Sequence, residues 1–303
     1  MAAMRTVTTP DEARRLIGEM RERGGTVGFV PTMGALHAGH ESLVRMARER
    51  TDIVVSSIFV NPRQFGPGED FERYPRMIER DSAALERLGC DVLFVPARGS
   101  IYSGDDRTTI TIAGLGDRLC GASRPGHFEG VLLVVAKLFN VVRPDAAFFG
   151  QKDAQQAVII QRMTADLDMP VRIYIGPTVR EPDGLAMSSR NAYLEPGERE
   201  RAPAMRRGLL EAMEVVRRGE RDARAAERIV RDRMREAGFE VEYAEVVDPA
   251  TMEPVGRIDG IVLIAAAGRL GRTRLIDNIA LRVEGGDVAE TLLEFPGWSR
   301  YEW

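Results

Sequence analysis

Apolar residues fall in short continuous runs through the first 175 positions, at 26–30, 52–60, 91–95, 146–149 and 171–175. Runs of this length with little polar alternation read as strands buried on both faces, the habit of parallel sheets. Between them, segments 39–50, 75–88, 128–142 and 154–167 repeat apolar residues every three to four positions, the spacing of helices with one buried face. Strand and helix alternating at this pitch build right-handed βαβ units. The expected fold is therefore α/β, a doubly wound parallel sheet over residues 1–176. Such sheets bind ligands at the carboxyl ends of their strands. That directs attention to the loops after Val30, Val60, Val95 and Phe149.

Beyond residue 177 the pattern changes. Residues 177–191 form a polar connector, and 198–218 and 221–238 are helical stretches dense in both Arg and Glu. Mixed charge of this kind marks a solvated helix face, not the one-signed stripe that nucleic acid requires. Strand-like runs follow at 241–247, 260–266 and 274–282, the first partly alternating as a half-exposed antiparallel strand does. A smaller α+β C-terminal domain, residues 177–303, is expected. Its tail, 288–303, holds both tryptophans and shows no repeat.

Composition adds exclusions. The 303 residues are 44% hydrophobic and 29% charged with a net charge of −4, which excludes a disordered chain and argues against nucleic-acid binding. No segment approaches the roughly 20 apolar residues of a membrane span. The N-terminus lacks the apolar stretch of a secretory leader, and two cysteines, Cys90 and Cys120, are too few for a disulfide framework. A cytoplasmic location is expected. Of 42 basic residues only Lys137 and Lys152 are lysines. In a chain that uses Arg so freely, these two are candidates for positions that need a compact ammonium instead of a planar fork.

The loop after the first run reads Pro31-Thr32-Met33-Gly34-Ala35-Leu36-His37-Ala38-Gly39-His40 and opens a helix. Helix N-termini attract phosphate, and two imidazoles three residues apart add donors for charge developing on a phosphoryl oxygen. Neither GxGxxG nor a Walker A lysine is present. A metal pair and purely structural histidines remain alternative readings. His127, in Arg124-Pro125-Gly126-His127, reads first as a cap or loop-packing residue. The long polar loop 61–70 offers Gln64 as both donor and acceptor. Lys152 lies in Gly150-Gln151-Lys152-Asp153 at a strand end, where Asp153 could cap the next helix. Met187-Ser188-Ser189-Arg190-Asn191 sits in the connector.

These motifs, in this order, resemble the HIGH nucleotidyltransferase superfamily, and within it the pantothenate synthetase family. The resemblance implies a Rossmann-like fold and ATP-dependent condensation of (R)-pantoate with β-alanine, giving pantothenate, AMP and pyrophosphate through a pantoyl adenylate. It also implies Mg²⁺ on the nucleotide phosphates and a homodimer, with no membrane or nucleic-acid partner. On this resemblance Met33, Gly34, Ala35, Leu36, His37, Ala38, Gly39 and His40 hold ATP. Gly150, Gln151, Lys152, Asp153, Val179, Met187, Ser188, Ser189 and Arg190 complete its site. His40, His37, Lys152 and Arg190 are the expected catalytic groups, the imidazoles acting as imidazolium donors. Gln64 and Gln156 are assigned to pantoate, Gln64 also to β-alanine, and Asp81 to the neighbourhood of the magnesium. Ala38 and Gln151 stand where the family often carries Glu. Two rival readings are a HIGH-class enzyme that keeps AMP in its product and an RNA-binding module using the Arg-rich helices.

Overall fold

The computed structural model describes residues 3–298. Its first sheet has six strands, β1 (Arg5–Val7), β2 (Val27–Thr32), β3 (Ile53–Ile58), β4 (Val92–Phe94), β5 (Ala146–Gly150) and β6 (Arg172–Gly176), in the order β1-β4-β3-β2-β5-β6. Every pairing is parallel. The crossovers are α1 (Pro10–Arg21), α2 (Ala38–Arg50), α3 (Ile78–Arg87), the short α4 (Arg98–Ile101) and α5 (Cys120–Ser123), α6 (His127–Val142) and α7 (Ala154–Asp166). All six residues of β3 are buried, and Phe29, Phe94 and Phe148 fill the interior without exposure. The doubly wound expectation is met.

The sequence reading had not separated β1 and α1. Strand β1 is three residues long at a sheet edge, and α1 buries only Ala13, Leu16 and Ile17. Its signal lay at its start instead. Thr9 Oγ1 accepts from the N–H of Glu12, and the Glu12 carboxylate accepts from the N–H of Thr9, a reciprocal capping box.

From β2 the chain moves one way across the sheet to β3 and β4, and later returns to the other side as β5 and β6. The reversal leaves a crevice between the carboxyl ends of β2 and β5, where a doubly wound sheet holds its ligand.

A second, antiparallel sheet follows: β7 (Glu240–Val247), β8 (Gly260–Leu270), β9 (Thr273–Glu284) and β10 (Asp287–Glu290), in the order β10-β9-β8-β7. Three helices precede it: α8 (Pro196–Arg201), α9 (Ala204–Arg217) and α10 (Ala223–Glu236). The single helix expected at 198–218 is two, because Pro203 separates them and cannot donate an intrahelical hydrogen bond. Helices α9 and α10 bury Leu209, Ala212, Val216, Val230 and Met234 against Val246, Ile264 and Leu281. Their Arg and Glu residues stay outside, paired as in Arg233–Glu211. The other sheet face joins the first layer through Tyr243, Val247, Leu263 and Ala280. After Glu290 the chain leaves this sheet and lies back against the first layer, with Leu293 in its core. No helix among the described residues is long and apolar enough to cross a membrane.

Candidate active site

The loop from β2 to α2 is shaped by two consecutive left-handed residues, Gly34 (φ 81°) and Ala35 (φ 50°). A buried carboxylate holds this turn. Asp81, 1% exposed at the first turn of α3, accepts from the backbone N–H of Ala35 at 2.7 Å and of Leu36 at 2.9 Å. Thr32 Oγ1 accepts from the N–H of Gly34. Asp81 was expected near a magnesium ion. Its two oxygens serve the loop's backbone, because two turned-in N–H groups need an acceptor, and its side chain lines neither of the two recesses described below.

His37 is the N-cap of α2. Its Nδ1 accepts from the N–H of Gly39 at 3.2 Å, while Nδ1 of His40 accepts from the N–H of His37 at 3.4 Å. The two rings lie 4.1 Å apart between centroids. A Cβ on Gly39 would come within 2.9 Å of the His37 ring, so the glycine makes room for the imidazole. With each Nδ1 accepting, each Nε2 carries the ring proton and is the free donor. Burial lowers the His37 pKa to about 4, with the Lys152 charge adding to the effect. Burial lowers His40 to about 3, with His37 adding. Both imidazoles are therefore neutral at pH 7. In the free protein they are neutral N–H donors, not imidazolium ions.

The loop after β3 is packed against α6 by close approach. A Cβ on Gly130 would lie 2.0 Å from the Arg63 carbonyl oxygen. Asn61, 1% exposed, donates to the Gly130 carbonyl and to Oε1 of Gln64, and accepts from the Tyr102 hydroxyl. Gln64 is thereby aimed into the crevice wall beside His37 and His40. Its carbonyl accepts from Nδ1 of His127 at 2.8 Å and from the Arg124 guanidinium at 2.9 Å. Burial lowers the His127 pKa to about 4, with Arg124 adding.

Two recesses meet at this point. Both are lined by Arg124, His127, Lys152, Asp153, Gln156, Ser188 and Arg190. The first adds Met33, His37, Gly39, His40, Gln64, Gly150, Val179, Met187 and Ser189. The second opens toward the antiparallel sheet and adds Arg73, Arg206, Arg269, Arg272 and Arg274. Lys152 lies 3.8 Å from the Asp153 carboxylate. Arg190 makes two hydrogen bonds to Asp70, at 2.8 and 2.9 Å, and Arg124 two to Glu69, at 2.6 and 2.7 Å. Ser189 Oγ donates to the Ala35 carbonyl, joining the connector to the β2 loop.

Most of the expected residues thus meet at one place. Gly34, Ala35, Leu36 and Ala38 line neither recess. Gln151 is turned away altogether, toward the tail. Arg124, Glu69 and Asp70 draw no site assignment from the sequence, and His127 reads there first as a cap or loop-packing residue, with a role at the site as the alternative. Glu69 meets Arg124 across 55 positions and Asp70 meets Arg190 across 120, separations for which local spacing carries no signal. Among the described residues no group of three His, Cys, Asp or Glu side chains could hold a metal ion. Where the two recesses meet, the lining offers neutral N–H donors, one ammonium, and two guanidinium groups each paired with a carboxylate. It suits a polyanion, and it contains no activated nucleophile.

Comparison with known proteins bears on what that polyanion is. A family profile described as pantoate-beta-alanine ligase matches residues 5–280. A pantothenate synthetase of Acetivibrio thermocellus is 48% identical over 281 residues, covering 92% of this chain and 100% of the relative. One from Thermotoga neapolitana is 51% identical over 279 residues, with the same coverage of both chains. The solved pantothenate synthetase of Thermus thermophilus superposes with a TM-score of 0.87 at 46% identity, covering 91% of this chain and 99% of that one. A pantoate-beta-alanine ligase from Francisella tularensis, solved in complex with beta-gamma ATP and beta-alanine, gives a TM-score of 0.76 at 32% identity over 91% of this chain and 97% of that one.

Proposed function

The chain belongs to the pantoate–β-alanine ligase family, and on that premise we propose that it condenses (R)-pantoate with β-alanine at the expense of ATP, releasing AMP and pyrophosphate. The observation that carries this reading is the meeting of His37, His40, Gln64, Lys152, Gln156 and Arg190 around one crevice at the sheet's switch point. A carboxylate is a poor electrophile. Its oxygen attacks the α-phosphorus of ATP, and pyrophosphate leaves with the bonding electrons. The β-alanine nitrogen then attacks the acyl carbon, AMP departs as the leaving group, and the amine loses a proton. No side-chain nucleophile is needed, which fits a site without one.

In this reading the Nε2–H groups of His37 and His40 donate to phosphate oxygens, and Lys152 meets the charge that builds as pyrophosphate leaves. Arg190 reaches the nucleotide by exchanging Asp70 for a phosphate. Gln64 and Gln156 hold pantoate, with β-alanine entering beside Gln64. Met33, Gly39, Gly150, Asp153, Val179, Met187, Ser188 and Ser189 line the nucleotide's side of the crevice. Mg²⁺ is carried on the nucleotide's phosphates, and a homodimer in the cytoplasm is part of the same proposal. The chain divides near residues 176 and 177 into nucleotide-binding and smaller α+β domains.

With ATP, Mg²⁺ and pantoate but no β-alanine, the protein is expected to exchange labelled pyrophosphate into ATP. Exchange that starts only after β-alanine is added would refute the two-step order.

A further inference from the structure

The segment after β10 lies beyond the family match, which ends at residue 280, and the reaction above does not use it. It is nevertheless tied closely to the first layer. Gln151, 8% exposed, donates through Nε2 to the Thr291 carbonyl at 3.0 Å and accepts at Oε1 from the Leu293 N–H at 2.9 Å. Ten residues on, Gln161, 6% exposed, repeats the arrangement one step along. Its Nε2 donates to the Leu293 carbonyl at 2.9 Å, and its Oε1 accepts from the Phe295 N–H at 3.1 Å. Each glutamine thus takes a carbonyl at one position and an N–H two positions later, as a neighbouring strand would. Only an amide can do this; a carboxylate would set lone pairs against the carbonyl. Leu293, 1% exposed, is buried in the core beneath, and Phe295 stacks on Trp298 at 4.3 Å.

The other end of this contact is Lys152. Asn278 on β9 donates from Nδ2 to the carbonyls of Gln151, at 2.9 Å, and of Lys152, at 3.0 Å. The turn that carries the ammonium is thereby held through its backbone by β9 and through the Gln151 side chain by the tail.

We propose that Gln151 is a positioning residue, through which residues 291–298 act as a strap that sets Lys152 against the nucleotide. The proposal rests on the assignment of Lys152 to ATP. A turn held on one side only lets its ammonium wander, and misplacement by about 1 Å can cost about 10²-fold in rate. Coupling between sites is reciprocal, so a strap that favours bound ATP is itself held more firmly when ATP binds.

The test compares the full chain, a chain ending at Glu290, Gln151→Glu, Gln161→Glu, and Gln151→Glu in the shortened chain. Pantoate-dependent pyrophosphate exchange gives kcat and KM for ATP, and hydrogen exchange follows residues 291–295 with and without ATP. Shortening and Gln151→Glu are each expected to raise KM for ATP about tenfold or to lower kcat comparably, at temperatures well below melting. The two changes together should do no more than either alone. ATP should slow amide exchange at Leu293 and Phe295. Gln161→Glu loosens the strap without touching the Lys152 turn, so it supplies a folded variant if the shortened chain fails to fold, and it too should raise KM. Wild-type kinetics in the shortened chain or in Gln161→Glu would overturn the proposal. So would an undiminished effect of Gln151→Glu once the tail is gone, or amide exchange indifferent to ATP. A full chain without pantoate-dependent exchange overturns the proposed function instead, and the hydrogen-exchange arm still reports on the strap because it needs only nucleotide binding.

Discussion

His37 performs two jobs with one ring, and they can be separated. Its Nδ1 caps α2 by accepting from the Gly39 N–H at 3.2 Å, and its Nε2–H is left to face a ligand. His37→Ala removes both functions. Loss of a cap costs about 1 kcal/mol, and at about 2.1 cal/mol/K per residue that lowers the melting temperature of a 303-residue chain by about 1.5 °C. Loss of one positioned donor to a developing oxyanion costs about 10²–10³ in rate, or about 3–4 kcal/mol. His37→Asn restores a side-chain oxygen that can accept from the helix N-terminus but has no donor reaching as far as Nε2. The expectation is that Asn recovers the melting temperature lost in Ala while both variants stay at least about 100-fold slow in pantoate-dependent pyrophosphate exchange. Thermal melts and exchange rates, measured side by side, read the two functions independently. An Asn variant within a few-fold of wild-type exchange would mean that His37 serves only as a cap.

Lys152→Arg keeps the charge but replaces a compact ammonium by a wider planar group at a site where Asn278 fixes the backbone. Exchange should fall at least tenfold with melting unchanged, and near-normal turnover would remove the geometric reason for this lysine. The chain's three histidines all have lowered pKa values, about 4, 3 and 4 for His37, His40 and His127. Their NMR signals in the free enzyme should not titrate between about pH 5.5 and 8. Since the unfolded chain takes up these protons near pH 6.5 and the folded chain does not, their contribution to stability is complete above that pH. It is lost as pH falls toward 3–4, at up to about 1.4 kcal/mol per pH unit for each histidine. A histidine resonance titrating near 6.5 would contradict this. Asp81→Asn turns an amide N–H toward one of the N–H groups of Ala35 and Leu36, costing about 2 kcal/mol by leaving a buried donor unmet. It should lower the melting temperature and raise KM for ATP; unchanged values of both would show that the carboxylate does not hold the loop.

Periodicity alone was enough to reveal the doubly wound sheet. A strand buried on both faces must be continuously apolar, and a helix packed on one side must repeat every three to four residues. The short β1 and the charged α1 bury too little to leave that trace. The HxGH loop, the Lys152 turn and the Met-Ser-Ser-Arg segment were legible because each is a contiguous motif at a strand end or in the connector. What the sequence could not show was which partners those residues would meet. Asp81 lies 46 residues from the Ala35 N–H it serves, Asp70 lies 120 from Arg190, and Gln151 lies 142 from the Leu293 N–H. Burial decided that the histidines are neutral, since desolvation depends on what surrounds a ring in space, not on its neighbours in the chain. By itself the sequence determined most of the elements, their order and the chemical groups on offer. The tertiary structure decided which of those groups face the crevice and which brace it from behind, because contacts and dielectric environment arise only when distant segments pack.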